Sequence, residues 1–271
     1  MNSEAKKIRS GRHRRSASSV KPSKRSVNYH DLYNPFPSME VFSIDQVAEI
    51  HETSLRTLEE LGMKVLLPEA IEIYRKGGAR VIDDMVYIGR DMVKAALTTA
   101  PKSIQGRAGV RAKDLTFELG RMIFQPGAGA PHATDLVRGR RPASATDYIE
   151  YTKLNQHFDV LQMLSPSVEP QDVAINLRHY FTTKAQLTLS DKFPFVFSRG
   201  TPQVIDCFEM LRDFRGVTEA EFSANPHCYT VINTNSPRTL DIPMAQGLID
   251  FAKHGQMSII TPFTLMGAMA P

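Results

Sequence analysis

Tryptophan is absent from the 271 residues, cysteine occurs only twice, and nowhere do about 18 apolar residues run uninterrupted. The last absence excludes a helical membrane span, and the expected location is the cytoplasm. Cys207 sits in an apolar helical stretch and Cys228 just before an apolar β-branched run, with no C-x-x-C spacing. Two reduced structural thiols are expected rather than a disulfide or a zinc site. No H-E-x-x-H, H-x-H or carboxylate-rich cluster occurs, so no metal centre is expected. Acidic residues are scarce at the start of the chain. Nine Lys or Arg against Glu4 alone give residues 1 to 28 about +8, so the formal net charge of +4 leaves about −4 for the rest.

That basic segment has almost no apolar residues, and a disordered tail over residues 1 to 30 is expected. A solvated arm is favoured. Contact with nucleic acid or another acidic partner, and a transit peptide, are the alternatives. The negative body lacks a recognisable nucleic-acid reader, which places nucleic-acid binding last. With 42% apolar residues the remaining chain can fill one sizeable core.

Residues 31 to 118 read as a small α+β region. Ser43 and Gln46 form an S-x-x-Q capping box for a helix ending at Gly62, and Pro68 opens a second helix closed by Gly77 and Gly78. Asp83 and Asp84 predict a turn before the strand Met85 to Ile88, and Asp91 is expected to cap a third helix ending before Pro101. Gly120 and Arg121 carry a hairpin signal between Leu115 to Leu119 and Met122 to Phe124.

From residue 119 to 271, five short apolar runs each lead into turn residues and then a helix-length segment: Met122 to Phe124, Val160 to Leu164, Phe195 to Phe197, Tyr229 to Ile232 and Met257 to Ile260. Strands alternating with helices predict parallel β/α units, closing as an open doubly wound sheet or as an eight-stranded barrel. The set reads as unfinished after the fifth run. Unpaired edges then predict association with further copies, a homo-oligomer.

In such folds chemistry gathers on the loops after the strands. The first elbow holds Gly127, Gly129 and His132, with Asp135 following. It lacks the third glycine of a dinucleotide fingerprint, so close backbone approach to a ligand is expected there. A structural role for His132 is favoured over an acid–base pair with Asp135. Arg138 to Pro142 reads as a solvated hairpin with a cationic tip. Glu169 closes the second elbow, as a candidate partner for a cationic substrate or as a helix N-terminal carboxylate. Asn233 and Asn235, two positions apart at the fourth strand end, are expected to present two amides to one side. Thr261 and Phe263 follow the fifth strand.

The segments Glu60 to Gly62, Pro126 to Gly129, Gly139 to Pro142, Leu189 to Lys192, Ile232 to Pro237 and Thr261 to Pro271 (TPFTLMGAMAP) resemble the trimethylamine methyltransferase family. The resemblance covers residues 40 to 271, about the first half of the family's usual chain. It implies an α/β fold in the form of an incomplete (β/α)8 TIM barrel of about five units. The implied activity moves a methyl group from a methylated amine, trimethylamine or a quaternary amine such as glycine betaine, to cobalt. That cobalt belongs to a corrinoid (cobalamin) carried by a cognate partner protein, and no cofactor is bound directly. Glu169 and Phe263 would then hold the cation, and Asn233 and Asn235 a betaine carboxylate. Gly127, Gly129, His132 and Thr261 would line the rim. The pyrrolysine of the trimethylamine enzymes is expected beyond Pro271, and Phe193 reads as an insertion between Lys192 and Pro194. The rival expectation is a truncated, non-catalytic fragment that cannot close its barrel.

Overall fold

The computed structural model describes residues 28–37, 39–127, 129–261 and 267. The expected basic tail therefore lies outside the described residues apart from 28 to 30, and so does Phe263. Helix α1 (Ile44–Arg56) starts at the expected box: Ser43 Oγ accepts the Gln46 amide at 3.2 Å, and the Ser43 amide donates to Gln46 Oε1 at 2.9 Å. A π-helical turn over Thr57–Leu61 ends it at Gly62, whose φ is +67°. A Cβ there would stand 2.8 Å from the Val86 carbonyl oxygen, so glycine is required.

Strand β1 (Met63–Val65), helix α2 (Pro68–Lys76), strands β2 (Arg80–Ile82) and β3 (Met85–Tyr87), and helix α3 (Arg90–Thr99) complete the first region. Gly89, not Asp91, is the N-cap of α3. Its extended backbone turns the chain into the helix, and Asp91 lies in the first turn, where the dipole favours a carboxylate. Strands β4 (Ser103–Gly106) and β5 (Leu115–Glu118) pair antiparallel, Ser103 opposite Glu118. The hairpin expected across Gly120 and Arg121 is thus corrected. Gly120 makes the bend, but Met122 N–H donates to the Leu32 carbonyl at 2.8 Å, and Arg121 is drawn to Asp31 and Glu118 at 2.8 and 2.9 Å. The Asp31 ion pair and the Leu32 hydrogen bond draw the chain away from β5.

Strands β6 (His132–Asp135) and β7 (Gly139–Pro142) form the hairpin with its arginine-rich turn. Then follow helices α4 (Ala145–His157), α5 (Arg178–Leu189), α6 (Thr201–Arg215) and α7 (Glu219–Ala224), and strands β8 (Tyr229–Ile232) and β9 (Thr239–Leu240). Helix α8 (Ile242–Lys253) and strand β10 (Met257–Ile260) complete the order. Strand β9 returns to the first region. It pairs parallel to β1, making a sheet in the order β2-β3-β1-β9, and Leu240 joins Val65 and Val86 in one buried cluster.

The five apolar runs lie side by side in chain order. Gln162 N–H donates to the Phe124 carbonyl at 3.0 Å, Leu164 N–H to Phe193 at 2.9 Å, and Val196 N–H to Tyr229 at 2.9 Å. Strands β8 and β10 pair parallel over four residues. Only these last two are regular strands. The second and third runs meet their neighbours through single parallel bridges, Met163 with Phe193 and Phe195 with Tyr229. The result is a mixed α/β fold in which α4, α5, α6 and α8 each intervene between consecutive runs. Leu115 and Phe117 of β5 pack against Phe193, Phe195 and Tyr229. Phe193 is fully buried and stacks on Tyr229 at 5.8 Å, so the inserted residue is part of the third run. No described helix is long and apolar enough to cross a membrane.

Candidate functional site

Where the parallel runs end, the elbows enclose a mouth of about 220 Å³, lined among others by Gln125, Gly129, Phe197, Arg199, Tyr229 and Asn233. Gly129 has φ +28°, and a Cβ there would lie 3.3 Å from the Phe197 ring. A side chain would therefore narrow the opening. Gly127 supports the same elbow by accepting the Ser165 hydroxyl at 2.7 Å. At the floor, Tyr229 Oη lies 2.5 Å from both the Leu164 carbonyl and Gln125 Oε1. Burial pushes this hydroxyl well above the usual tyrosine value, so it stays a neutral donor.

Arg199 is the cation of the mouth. Its guanidinium lies 4.1 Å from the Phe197 ring centroid, is half exposed, and pairs with Glu169. Glu169 is nearly buried and also meets Arg178 at 3.4 Å. This corrects the simplest expectation for Glu169. Two guanidiniums already compensate its charge, so it positions Arg199 instead of standing free for a cationic ligand. Arg199 and Glu169 also line a narrower cavity of about 110 Å³ that runs between α5 and α6 to Cys207. Burial pushes the Cys207 thiol up to about 11, and Cys228 is raised as well. Both are protonated, buried thiols, poor nucleophiles at neutral pH.

The two asparagines separate. Asn233 lines the mouth and its Oδ1 accepts the Thr261 hydroxyl at 2.6 Å. Asn235 instead donates to Asp241 Oδ2 at 3.0 Å and pairs through its backbone with Thr239. Strand β8 stops at Ile232, so the alternation that would keep residues 233 and 235 on one side has already ended. His132 does not pair with Asp135. Its ring faces Arg140 at 3.5 Å, while Asp135 binds Arg138 and Arg141. The Arg138 amide is the first of the donors that hold the Asp135 carboxyl down at about 2. Among the described residues no group of three His, Cys, Asp or Glu is placed to hold a metal ion.

The sequence reading does not single out Gln125, Phe197, Arg199 or Tyr229 as site residues. The available signal was position: an arginine two residues past a strand-ending phenylalanine, in an elbow.

The family profile described as Trimethylamine methyltransferase (MTTB) matches residues 8–271. The chain belongs to this family. A glycine betaine methyltransferase of Desulfitobacterium hafniense (strain Y51) is 28% identical over 240 residues, 87% of this chain and 49% of that protein. An L-carnitine:corrinoid methyltransferase of Eubacterium limosum is 30% identical over 127 residues, 46% of this chain and 25% of its own length. The trimethylamine methyltransferase MttB of Desulfitobacterium hafniense (strain DSM 10664 / DCB-2) is 27% identical over 135 residues, 49% and 27% of the two chains. This family member thus spans about half the length of the glycine betaine relative it matches.

Proposed function

We propose that this chain supplies the amine-binding elbows of a methyltransferase whose methyl acceptor is a corrinoid carried by a partner protein. Its five parallel runs are read as part of an eight-stranded (β/α)8 barrel. Their chain order, the helices between them and the packing of β5 against their interior support that reading. The corrinoid supplies the nucleophile. The chain's own residues bind and align the methylated nitrogen, an entropic contribution worth up to about 7–11 kcal/mol in well-oriented reactions.

The observation that carries the substrate class is Arg199 in the mouth, resting on Phe197 and tied to Glu169. A simple ammonium would meet an arginine there. A betaine, which bears a carboxylate as well as the onium nitrogen, places the carboxylate against Arg199 and the Asn233 amide. Its methyl groups then face the Phe197 and Tyr229 rings. Thr261 orients Asn233, the glycine elbow leaves room, and Phe263 lies close in sequence. The substrate class is therefore a quaternary-amine betaine, in keeping with the names of two relatives.

Calorimetric titration of the chain with glycine betaine and with tetramethylammonium tests this. Glycine betaine should bind at least about tenfold more tightly, and Arg199→Gln should remove the difference, which is about 1.4 kcal/mol. Equal affinities would exclude the betaine reading. Incubation with reduced corrinoid protein then tests methyl transfer, and no demethylation of any amine would exclude the activity. The open edge of β10, paired among the described residues with β8 alone, favours a second reading. In that reading the chain associates with other copies and binds an amine without transferring methyl. The same incubation separates the two.

A further inference from the structure

At the opposite end of the parallel runs, below Pro194 and His227, lies a second and wider cavity of about 580 Å³. Three arginines line it from two parts of the chain: Arg107 and Arg111 in the β4–β5 connection, and Arg215 in the last turn of α6. Both acidic side chains there are already engaged. Asp114 accepts from Arg107 Nη1 at 2.8 Å and from the Ala108 amide at 3.0 Å. Glu221 accepts the amide and the hydroxyl of Thr218, each at 2.8 Å.

Lys192, which also lines the cavity, donates to the Phe158 carbonyl at 2.8 Å, and neither Arg215 nor Arg111 makes an ion pair among the described residues. Arg215 donates from Nη1 to the Arg107 carbonyl and to His227 Nδ1, both at 2.8 Å, while its Nε is buried without a partner. The Arg111 guanidinium has no hydrogen bond or ion pair among the described residues. His227, stacked on Phe222, acts as an acceptor and is therefore neutral. Burial first, then Arg215 and Arg107, push its ring down to about 4. A partly buried guanidinium without an ion pair, here Arg215, is unfavourable, and with the exposed Arg111 beside it the cavity carries a positive potential that an anion would relieve. Planar guanidinium forks match the oxygens of a phosphoryl group and bind them in pairs.

We propose that this lower cavity binds a phosphorylated small molecule, gripped by Arg107, Arg111 and Arg215. The site is separate from the mouth and stands whether or not the betaine reading does.

Titration of the full chain with pyrophosphate, at ionic strength held constant with sodium chloride, tests it by calorimetry and by histidine-ring NMR. Saturable binding is expected, with the His227 ring resonances moving while those of His51 on α1 stay in place. Arg111→Gln, which removes no contact within the fold, should weaken binding by about tenfold and leave the unfolding temperature unchanged. Absence of saturation, a His227 resonance that does not move, or unaltered affinity in Arg111→Gln would each overturn the site. Should the variant fail to fold, the His227 response of the unaltered chain decides alone.

Discussion

Arginines converge at both ends of the parallel runs, and the two ends treat them differently. At the mouth, Arg178 and Arg199 close on Glu169, and Arg199 is left with one face on Phe197 and the rest toward solvent. Its direction is fixed while its charge is largely compensated. At the lower cavity, Arg107 alone has a carboxylate, and Arg215 leans on a carbonyl and a neutral imidazole. A compensated arginine reads one charge on a ligand that is itself nearly neutral. Uncompensated ones call for a ligand with surplus negative charge.

The largest test removes what the two ends share. Phe193 lies between them, fully buried against Phe117 and Tyr229. Phe193→Ala should cost about 3–5 kcal/mol in urea unfolding. A cost below about 1 kcal/mol would mean that the runs do not form one support. Glu169→Gln breaks the mouth alone by leaving two guanidiniums facing each other. A loss of about 1–3 kcal/mol is expected, below the full buried-pair value because Arg199 is half exposed. Affinity for glycine betaine should fall with it, while affinity for pyrophosphate stays unchanged.

Acid should distinguish the ends next. His227 titrates near 4 in the fold and near 6.5 when unfolded, so the native state binds fewer protons between those values. Stability therefore falls as pH drops from about 6.5 to 4, by on the order of 2 kcal/mol. His227→Asn should flatten that slope in unfolding curves at pH 7 and 4.5, and an unchanged slope would place the loss elsewhere. Asp135, held at about 2, adds its own loss only below about 3.8. The smallest effect is expected from Asn235→Ala, which gives up an exposed bond to Asp241 at the start of α8 and should cost about 0.5–1 kcal/mol with no change in betaine binding. Loss of betaine binding in that variant would return Asn235 to the mouth.

Local signals were legible where one or two residues decide the geometry. The Ser43 box, Pro68 at the start of α2, the arginine hairpin and the five apolar runs all follow from rules that span fewer than about ten residues. What sequence spacing concealed are partnerships across the chain. Met122 leaves β5 because Arg121 finds Asp31, some 90 positions away. Glu169 loses its freedom because Arg178 and Arg199 arrive from two later segments. Thr239 and Leu240, two residues in an elbow, become a strand only because β1 offers an edge. Within the site, the residue types and elbow positions were visible from sequence. Which of them face the mouth depended on where β8 stops.

The pairing of β1 with β9 also constrains how the molecule is made. Lys64 waits for Thr239, so as synthesis proceeds the first sheet emerges from the ribosome lacking its last member until nearly all of the described chain has been translated. Such a long sequence separation raises contact order and slows folding, and it leaves the β1 edge open to other nascent chains meanwhile. Expression at low temperature or with a holdase chaperone should therefore favour recovery of the folded protein.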